Sequence, residues 1–270
     1  MVKLKVLIVT YKIDLESSET LQSLLSVQHK LALDISVVMN SYSNENEEIK
    51  YNKSFHNIKV IKNKNNKKLS TIYNEHLESL KNDEYLLILD QDSKLEKTFI
   101  DKSISYLDGN DDVNLLLPQV FMRTKLVSPA YIKHGRGKYI KKITDNLLGK
   151  TTSKYMCAIN SGLIIKATTA KKVKYDERLS FYFTDTKFLI DYQRQFQYIH
   201  ISNAKIEHDL SQISSDNKEK AIFRERDNIM GLRISTDNLI LNEIYVAYRC
   251  IRNMIKYHSF SFIKIWFRKC

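Results

Sequence analysis

The chain has 270 residues, 43% of them hydrophobic and 27% charged, with only six glycines and two prolines. That composition supports a buried core and excludes collagen-like, linker-rich and disordered classes. The formal charge of +12 points to an anionic partner (a nucleic acid, an anionic membrane or a phosphorylated substrate) or to a protein that is simply basic.

The first element is "KVLIVTY", Lys5 to Tyr11, a β-branched apolar run of buried-strand length. Its apolar part is too short for the hydrophobic segment of a signal peptide, so it reads as a strand. A helix follows in "SSETLQSLLSVQHK", with Leu21, Leu24 and Leu25 at helical spacing behind a Ser18–Glu19 start. "LDISVVMNS" and "NIKVIKN" are the second and third strands. "KLSTIYNEHLESLKN" is a helix with Leu69, Ile72, Tyr73, His76, Leu77 and Leu80 on one face. "EYLLILDQDS" is the fourth strand, "EKTFIDKSISYLDG" a helix ending at Gly109, and "VNLLLPQV" the fifth strand. Strands of continuous apolar residues alternating with helices predict an α/β fold, with a mostly parallel sheet covered on both faces.

Beyond residue 119 the pattern loosens. "RTKLVSPAYIKHGRGKYIKKITDNLLGKTTSK" is basic and weakly periodic, and reads as a long loop. "YMCAINSGLIIKA" reads as one strand, "TTAKKVKYDERL" as a short helix and turn, "DTKFLIDYQRQ" as a helix and "FQYIHISNAKIEHD" as a strand. The chain from about Ser214 reads as helical. No apolar run approaches the ~20 residues that span a bilayer. Cys157, Cys250 and Cys270 have no zinc-like spacing and fit a reducing compartment.

Ligands of such sheets sit beyond the carboxyl ends of the strands, where Tyr11, Asn40, Asp90 and Asp92 fall. Asp90 and Asp92 suit a hard divalent cation that also binds phosphate oxygens; the other reading is a solvated turn with a Ser93 cap. Asp185 follows the aromatic run Phe181–Phe183. It is either a partly desolvated base or, with Thr184, a plain helix cap. Asp191 is expected to be exposed or paired with Arg194. His208 is either a third metal ligand or an ordinary polar residue. Gly162 marks close backbone approach to a ligand, or a turn. From Tyr245 to Cys270 the chain carries six basic residues, seven aromatics and no acid. That pattern fits the interface of an anionic membrane, a helix packed through its aromatics, or a dimer contact.

Taken together, "VLIVTYK", "VVMNSYS", "NKNNKKLSTIYNEHL", "LLILDQDS", "INSGLIIKATTAKKVKYDERLSFYFTDTKFLIDYQRQ" and "IEHD" resemble the inverting GT-A glycosyltransferases of family 2. The likeness is greatest to the bacterial rhamnosyltransferase-like branch, and it runs from Lys5 to about Asn228. It implies a GT-A, Rossmann-like sheet flanked by helices. The catalytic domain would cover residues 1–213, with a nucleotide-sugar half at about 1–118 and an acceptor half at about 119–213. A helical extension would occupy 214–270.

The resemblance implies Asp185 as catalytic base, with Asp92 and His208 on a Mn²⁺ or Mg²⁺ ion. Thr10, Tyr11, Asn40, Ser43, Asn65, Asn74, Asp90, Gln91, Ser161 and Gly162 would contact the nucleotide sugar. The implied donor is dTDP-rhamnose and the acceptor a saccharide, lipid-linked, in polysaccharide synthesis at the inner face of a bacterial plasma membrane. A homodimer is an open expectation, and nucleic acid is not an expected partner. The chain departs from the family pattern in Asn40 for an Asp, Lys67 or Lys68 for a Gly, Thr184 for a Glu, and no Gly after His208. A nucleotidyltransferase would need a glycine-rich loop after the first strand, which "TYKIDLESSET" lacks. A non-enzymatic basic binding protein leaves the polar strand ends unexplained.

Overall fold

The computed structural model describes residues 2–27, 31–42, 47–53, 56–133, 136–208, 218–235 and 239–267. From its start the chain runs β1 (Lys3–Tyr11), α1 (Glu19–Leu25), β2 (Asp34–Asn40), β3 (Glu47–Lys53), β4 (His56–Lys62), α2 (Leu69–Glu78), β5 (Glu84–Asp90), β6 (Ser93–Leu95) and α3 (Phe99–Asp108). The chain continues through β7 (Leu115–Met122), β8 (Lys125–Ser128), β9 (Ala130–Lys133), β10 (Arg136–Tyr139), β11 (Gly149–Thr152), β12 (Met156–Cys157) and β13 (Ile164–Lys166). It ends with α4 (Ala167–Ala170), α5 (Thr184–Gln195), β14 (Tyr198–His208), α6 (Lys218–Ser235), α7 (Leu239–Tyr257) and α8 (Ser261–Trp266).

The main sheet has the order β11-β14-β7-β13-β5-β1-β2-β4-β3. Its centre is parallel: Val6 pairs with Ile35 on one side and Leu87 on the other, and Ile35 pairs with Ile58. Alternate residues of each central strand serve opposite faces. Leu7, Leu86 and Ile88 join Ile72 and Tyr73 of α2 and Phe188 and Tyr192 of α5. Val6, Ile8, Leu87 and Leu89 join Leu21 and Leu24 of α1 and Phe99, Ile100 and Leu107 of α3. Burying each such side chain contributes about 2 kcal/mol. The double-sided burial is why the strands read as unbroken apolar runs.

Two expectations are corrected and one strand is added. The stretch 123–154 is not a featureless loop: it contributes β8 and β11 to the main sheet and β9 and β10 to a small sheet ordered β10-β9-β12. These strands are four residues long, too short for alternation to register. The expected single strand at 155–167 is two, β12 and β13, separated by the turn that carries Ser161 and Gly162. The unforeseen β3 is an edge strand antiparallel to β4. Its charges defend the edge, with Glu47 2.9 Å from Lys62 and Glu48 2.8 Å from Lys59.

The helices α6, α7 and α8 share their own core of Ile229, Leu232, Val246, Cys250, Phe262 and Ile265. Among the described residues, no helix is long and apolar enough to cross a membrane.

Candidate active site

Parallel strands release their C-terminal residues on one edge, where Tyr11 lies beside Asn40, and Val9 beside Asp90. The chain then turns through Gln91 and Asp92 into β6, whose Ser93 pairs with His208 at the end of β14. This pairing explains how a histidine distant in sequence reaches the acids. One ligand atom from each of Asp90, Asp92 and His208 falls within 4.8 Å of the others. Asp92 Oδ1 is 3.6 Å from His208 Nδ1.

The turn is stapled from α1. The buried Thr20 hydroxyl donates to the Asp90 carbonyl and accepts from the Ser93 N–H at 2.8 Å. The Ser18 hydroxyl caps α1 by accepting from the Leu21 N–H at 3.3 Å, and donates to the Gln91 carbonyl at 3.3 Å. Below the acids, Ser93 Oγ contacts Ser161 Oγ at 2.5 Å and His208 Nδ1 at 3.2 Å. A buried hydroxyl pair thereby fixes the imidazole, as supporting groups do for metal-ligating histidines.

Burial raises the Asp90 carboxyl to about 6, with Asp92 and Asp185 adding to the rise and His208 opposing it. Burial also raises Asp185, opposed by the N–H and hydroxyl of Thr186, which donate to its Oδ1 at 2.6 and 3.2 Å. The phenols of Tyr73 and Tyr175 are raised well above their ordinary value by burial, with the charges of Asp90 and Asp185 adding to it. Burial pushes the Cys157 thiol up to about 12, with Asp185 contributing, so this cysteine is no thiolate nucleophile.

Three carboxylates with one imidazole would repel a diphosphate. Two carboxylates and an imidazole within reach of one point, by contrast, form a donor set that fits Mn²⁺ or Mg²⁺. Asp90, Asp92 and His208 are the residues that would hold such an ion.

Other predicted positions have structural duties. Asn40 is buried; its amide donates to the Lys67 carbonyl at 2.8 Å and its oxygen accepts from Asn63 Nδ2 at 3.0 Å. It shapes the loop that carries Asn65, which is exposed. Asn74 spends its amide on Tyr175, accepting from its N–H and donating to its carbonyl, both at 2.9 Å. It therefore joins α2 to the loop before α5 instead of reaching a ligand. Gln91 Oε1 accepts from the Tyr11 N–H at 2.8 Å, leaving the Tyr11 ring exposed at the crevice. The Thr10 hydroxyl is buried and without a partner among the described residues. Ser43 lies outside the described residues. Asp185 is not the cap of α5, a place Phe183 takes; it belongs to the first turn. Asp191 pairs with Arg194 at 3.0 Å, as expected, and also with Lys187.

Gly162, read as close backbone approach to a ligand or as a turn, lies in the turn between β12 and β13. Its φ is +94°, and a Cβ there would meet Pro118 Cγ at 2.5 Å and Ile206 Cδ1 at 2.6 Å. The glycine serves packing beneath the site. Gly162→Ala is expected to cost roughly 3 kcal/mol from overpacking and left-handed strain together. A thermal melt checks this; an unchanged melting temperature would contradict it.

The supporting residues the sequence did not reveal are Thr20 and Asn160; Ser93, expected only as a turn cap, also supports the imidazole. Asn160 adjoins a quoted segment. Its side chain accepts from the Tyr175 hydroxyl at 2.9 Å and donates to Thr184 Oγ1 at 3.1 Å.

A mixed sheet with a parallel centre, an acidic turn at the C-terminal edge of that centre and helices on both faces fits the GT-A architecture of glycosyltransferases. Residues 6–167 match glycosyl transferase family 2, and the chain belongs to that family. No curated protein matches it significantly. Among solved structures it is similar to S. aureus TarS 1-349, with TM-score 0.50 and 14% identity over 94% of this chain and 72% of that one. The same protein in complex with UDP-GlcNAc gives TM-score 0.50, 14% identity and coverages of 94% and 73%. GalNAc-T7 with UDP, GalNAc and Mn²⁺ gives TM-score 0.57 and 12% identity over 83% of this chain and 48% of that one. At these identities the likeness is one of fold. A trough of about 680 Å³ lined by Lys5, Asp34, Lys59 and His76 opens at the opposite, N-terminal ends of the strands and is unrelated to this site.

Proposed function

We propose that the protein transfers a sugar from a nucleoside diphosphate sugar to a saccharide hydroxyl, with inversion, at an anionic membrane surface. The observation that carries this reading is the meeting of Asp90, Asp92 and His208 at the strand ends, with the charge of Asp185 felt at Asp90. A divalent cation, when bound there, stabilises negative charge on the departing diphosphate. Asp90, besides its place in the ion-holding set, positions the donor sugar. Asp185 takes the proton of the acceptor hydroxyl as its oxygen attacks the anomeric carbon. Thr186 makes both of its bonds to Oδ1, so Oδ2 is the oxygen assigned to that proton. Alignment of donor, acceptor and base supplies much of the remaining rate.

The family resemblance makes dTDP-rhamnose the first donor to test, and polysaccharide synthesis in a bacterial envelope the setting. A UDP-hexose is the second, because the similar structures hold UDP or UDP-GlcNAc. The test is metal-dependent release of nucleoside diphosphate from each donor, with the product's anomeric configuration read by NMR. Release of pyrophosphate from a nucleoside triphosphate would instead indicate a nucleotidyltransferase. Salt-sensitive nucleic-acid binding without turnover would indicate a binding protein.

The membrane part of the reading is supported by α7. Ile240, Ile244, Tyr248, Ile251 and Ile255 are exposed along one side of this helix, at helical spacing. Arg252 and Lys256 are exposed next to Ile251 and Ile255, and Lys264 is exposed on α8; Glu243, between Ile240 and Ile244, is paired with Arg233 at 2.7 Å. An apolar stripe beside cations complements an anionic lipid surface, which supports lipid as the occupant of this face and a lipid-linked saccharide as the acceptor to test. Ile244→Asp with Ile251→Asp is expected to reduce sedimentation with phosphatidylserine vesicles at least tenfold at an unchanged melting temperature. Equal binding by this variant contradicts the assignment. So does a wild-type dimer that the substitutions dissolve without affecting vesicle binding.

A further inference from the structure

Phe183 precedes α5 with φ +63°, a left-handed backbone that a bulky side chain rarely adopts. No side-chain cap on α5 accounts for it. The cause lies on α6. Asp227, itself buried, accepts through Oδ2 from the N–H of Phe181 at 3.1 Å and of Tyr182 at 2.8 Å. One helical turn further on, Gly231 faces Phe183. A Cβ at 231 would lie 2.5 Å from Phe183 Cβ, 2.7 Å from Cγ and 2.8 Å from Cδ2. Gly231 sits inside a helix, where glycine is unfavourable, so its value here is the space it leaves.

The opposite side of the same loop is tied to α2. The Leu69 N–H donates to the Ser180 carbonyl at 3.0 Å, and the Ser70 hydroxyl donates to the Leu179 carbonyl at 2.6 Å. Residues 179–183 are thus gripped between α2 and α6, and Asp185 is two residues beyond the grip. The Thr184 hydroxyl carries the constraint forward by donating to the Phe181 carbonyl at 3.1 Å.

We propose that Asp227 and Gly231 are positioning residues for Asp185, so that α6 completes the active site. The proposal rests on the reading of Asp185 as the base. Without the Asp227 carboxylate, two loop amides lose their acceptor and Phe183 is free to return to negative φ. That rotation moves the start of α5, and a shift of about 1 Å in a catalytic group costs on the order of a hundredfold in rate.

The test compares wild type with Asp227→Ala, Asp227→Asn, Gly231→Ala and the double variant Gly231→Ala with Phe183→Gly. Three quantities are measured: amide hydrogen exchange at Phe181 and Tyr182, nucleoside diphosphate release from UDP- and dTDP-sugars with Mn²⁺, and the melting-temperature shift produced by those donors. Asp227→Ala is expected to speed exchange at both amides at least tenfold and to lower kcat about a hundredfold, with KM and the donor-induced shift unchanged. Asp227→Asn, which keeps an acceptor oxygen, recovers part of the loss. Gly231→Ala lowers kcat in the same way. Adding Phe183→Gly recovers it, because glycine removes the clash and tolerates the left-handed backbone. This pair carries the test without removing a buried carboxylate.

The proposal is overturned if kcat in Asp227→Ala stays within twofold of wild type, or if exchange at the two amides is unchanged. It is equally overturned if kcat and the donor-induced shift fall together, which marks a general structural role. Failure of the underlying reading looks different. In that case the wild type neither binds nor turns over sugar nucleotides, while the exchange comparison still decides whether α6 grips the loop.

Discussion

Asp185→Asn is expected to lower turnover about a thousandfold, near 4 kcal/mol of barrier, while leaving the affinity for sugar nucleotide and metal within a factor of two or three. The substitution keeps an oxygen for the Thr186 bonds, so the local geometry survives and only the proton acceptor is lost. Single-turnover kinetics, compared with the donor-induced melting shift, separates the two effects. Loss of donor binding as severe as the loss of rate would sink the assignment. The wild-type pH profile adds a second check. Burial raises Asp185, and a protonated carboxyl cannot accept a proton. The rate should therefore rise with pH along a limb lying above the usual carboxylate range, a limb absent from the variant's residual activity.

The same burial has a stability consequence of determinate sign. A carboxyl whose folded pKa is raised favours the folded state while protonated, and that contribution is lost as pH rises through the folded value. Asp185→Asn should therefore melt higher than wild type at neutral pH, with the difference closing in acid. A lower melting temperature at neutral pH would show that the carboxylate anchors the fold.

The second large effect concerns Asp92. Asp92→Ala is expected to remove the metal-dependent part of donor affinity and to slow diphosphate release by roughly 10²–10³, the several kcal/mol a bound cation supplies. The turn should persist, because Thr20 and Ser18 hold its backbone and Ser161 meets Ser93 beneath it. A Mn²⁺ titration of donor binding in both proteins is the check. An unchanged metal dependence would move the ion away from this cluster.

The parallel centre of the fold was legible because strands buried on both faces must be written in apolar residues, and β1, β2 and β5 are. The acids of the turn and Asp185 were legible because a carboxylate ending an apolar strand, or following three aromatics, is locally anomalous. What local sequence cannot carry is who consumes a polar group. Asn40 and Asn74 stand among the quoted family segments, but their amides are taken by Lys67, Asn63 and Tyr175. Nothing local to Gly162 shows that the space where a Cβ would stand is filled by Pro118 and Ile206 from other strands. The small sheet around β9 escaped notice because its strands are two to four residues long and β12 joins it from some twenty-five residues away. Asp227 lies in a helix of mixed charges, and nothing in that pattern marks its two bonds to residues 181 and 182.

The most direct test is a thermal melt of wild type and Asp92→Ala with UDP- and dTDP-sugars, with and without Mn²⁺. A sugar nucleotide that raises the melting temperature of wild type only when Mn²⁺ is present, and leaves Asp92→Ala unmoved, is the predicted result. A shift that is the same without metal, or that survives in Asp92→Ala, would contradict a diphosphate-binding cation at the end of β5, as would the absence of any shift.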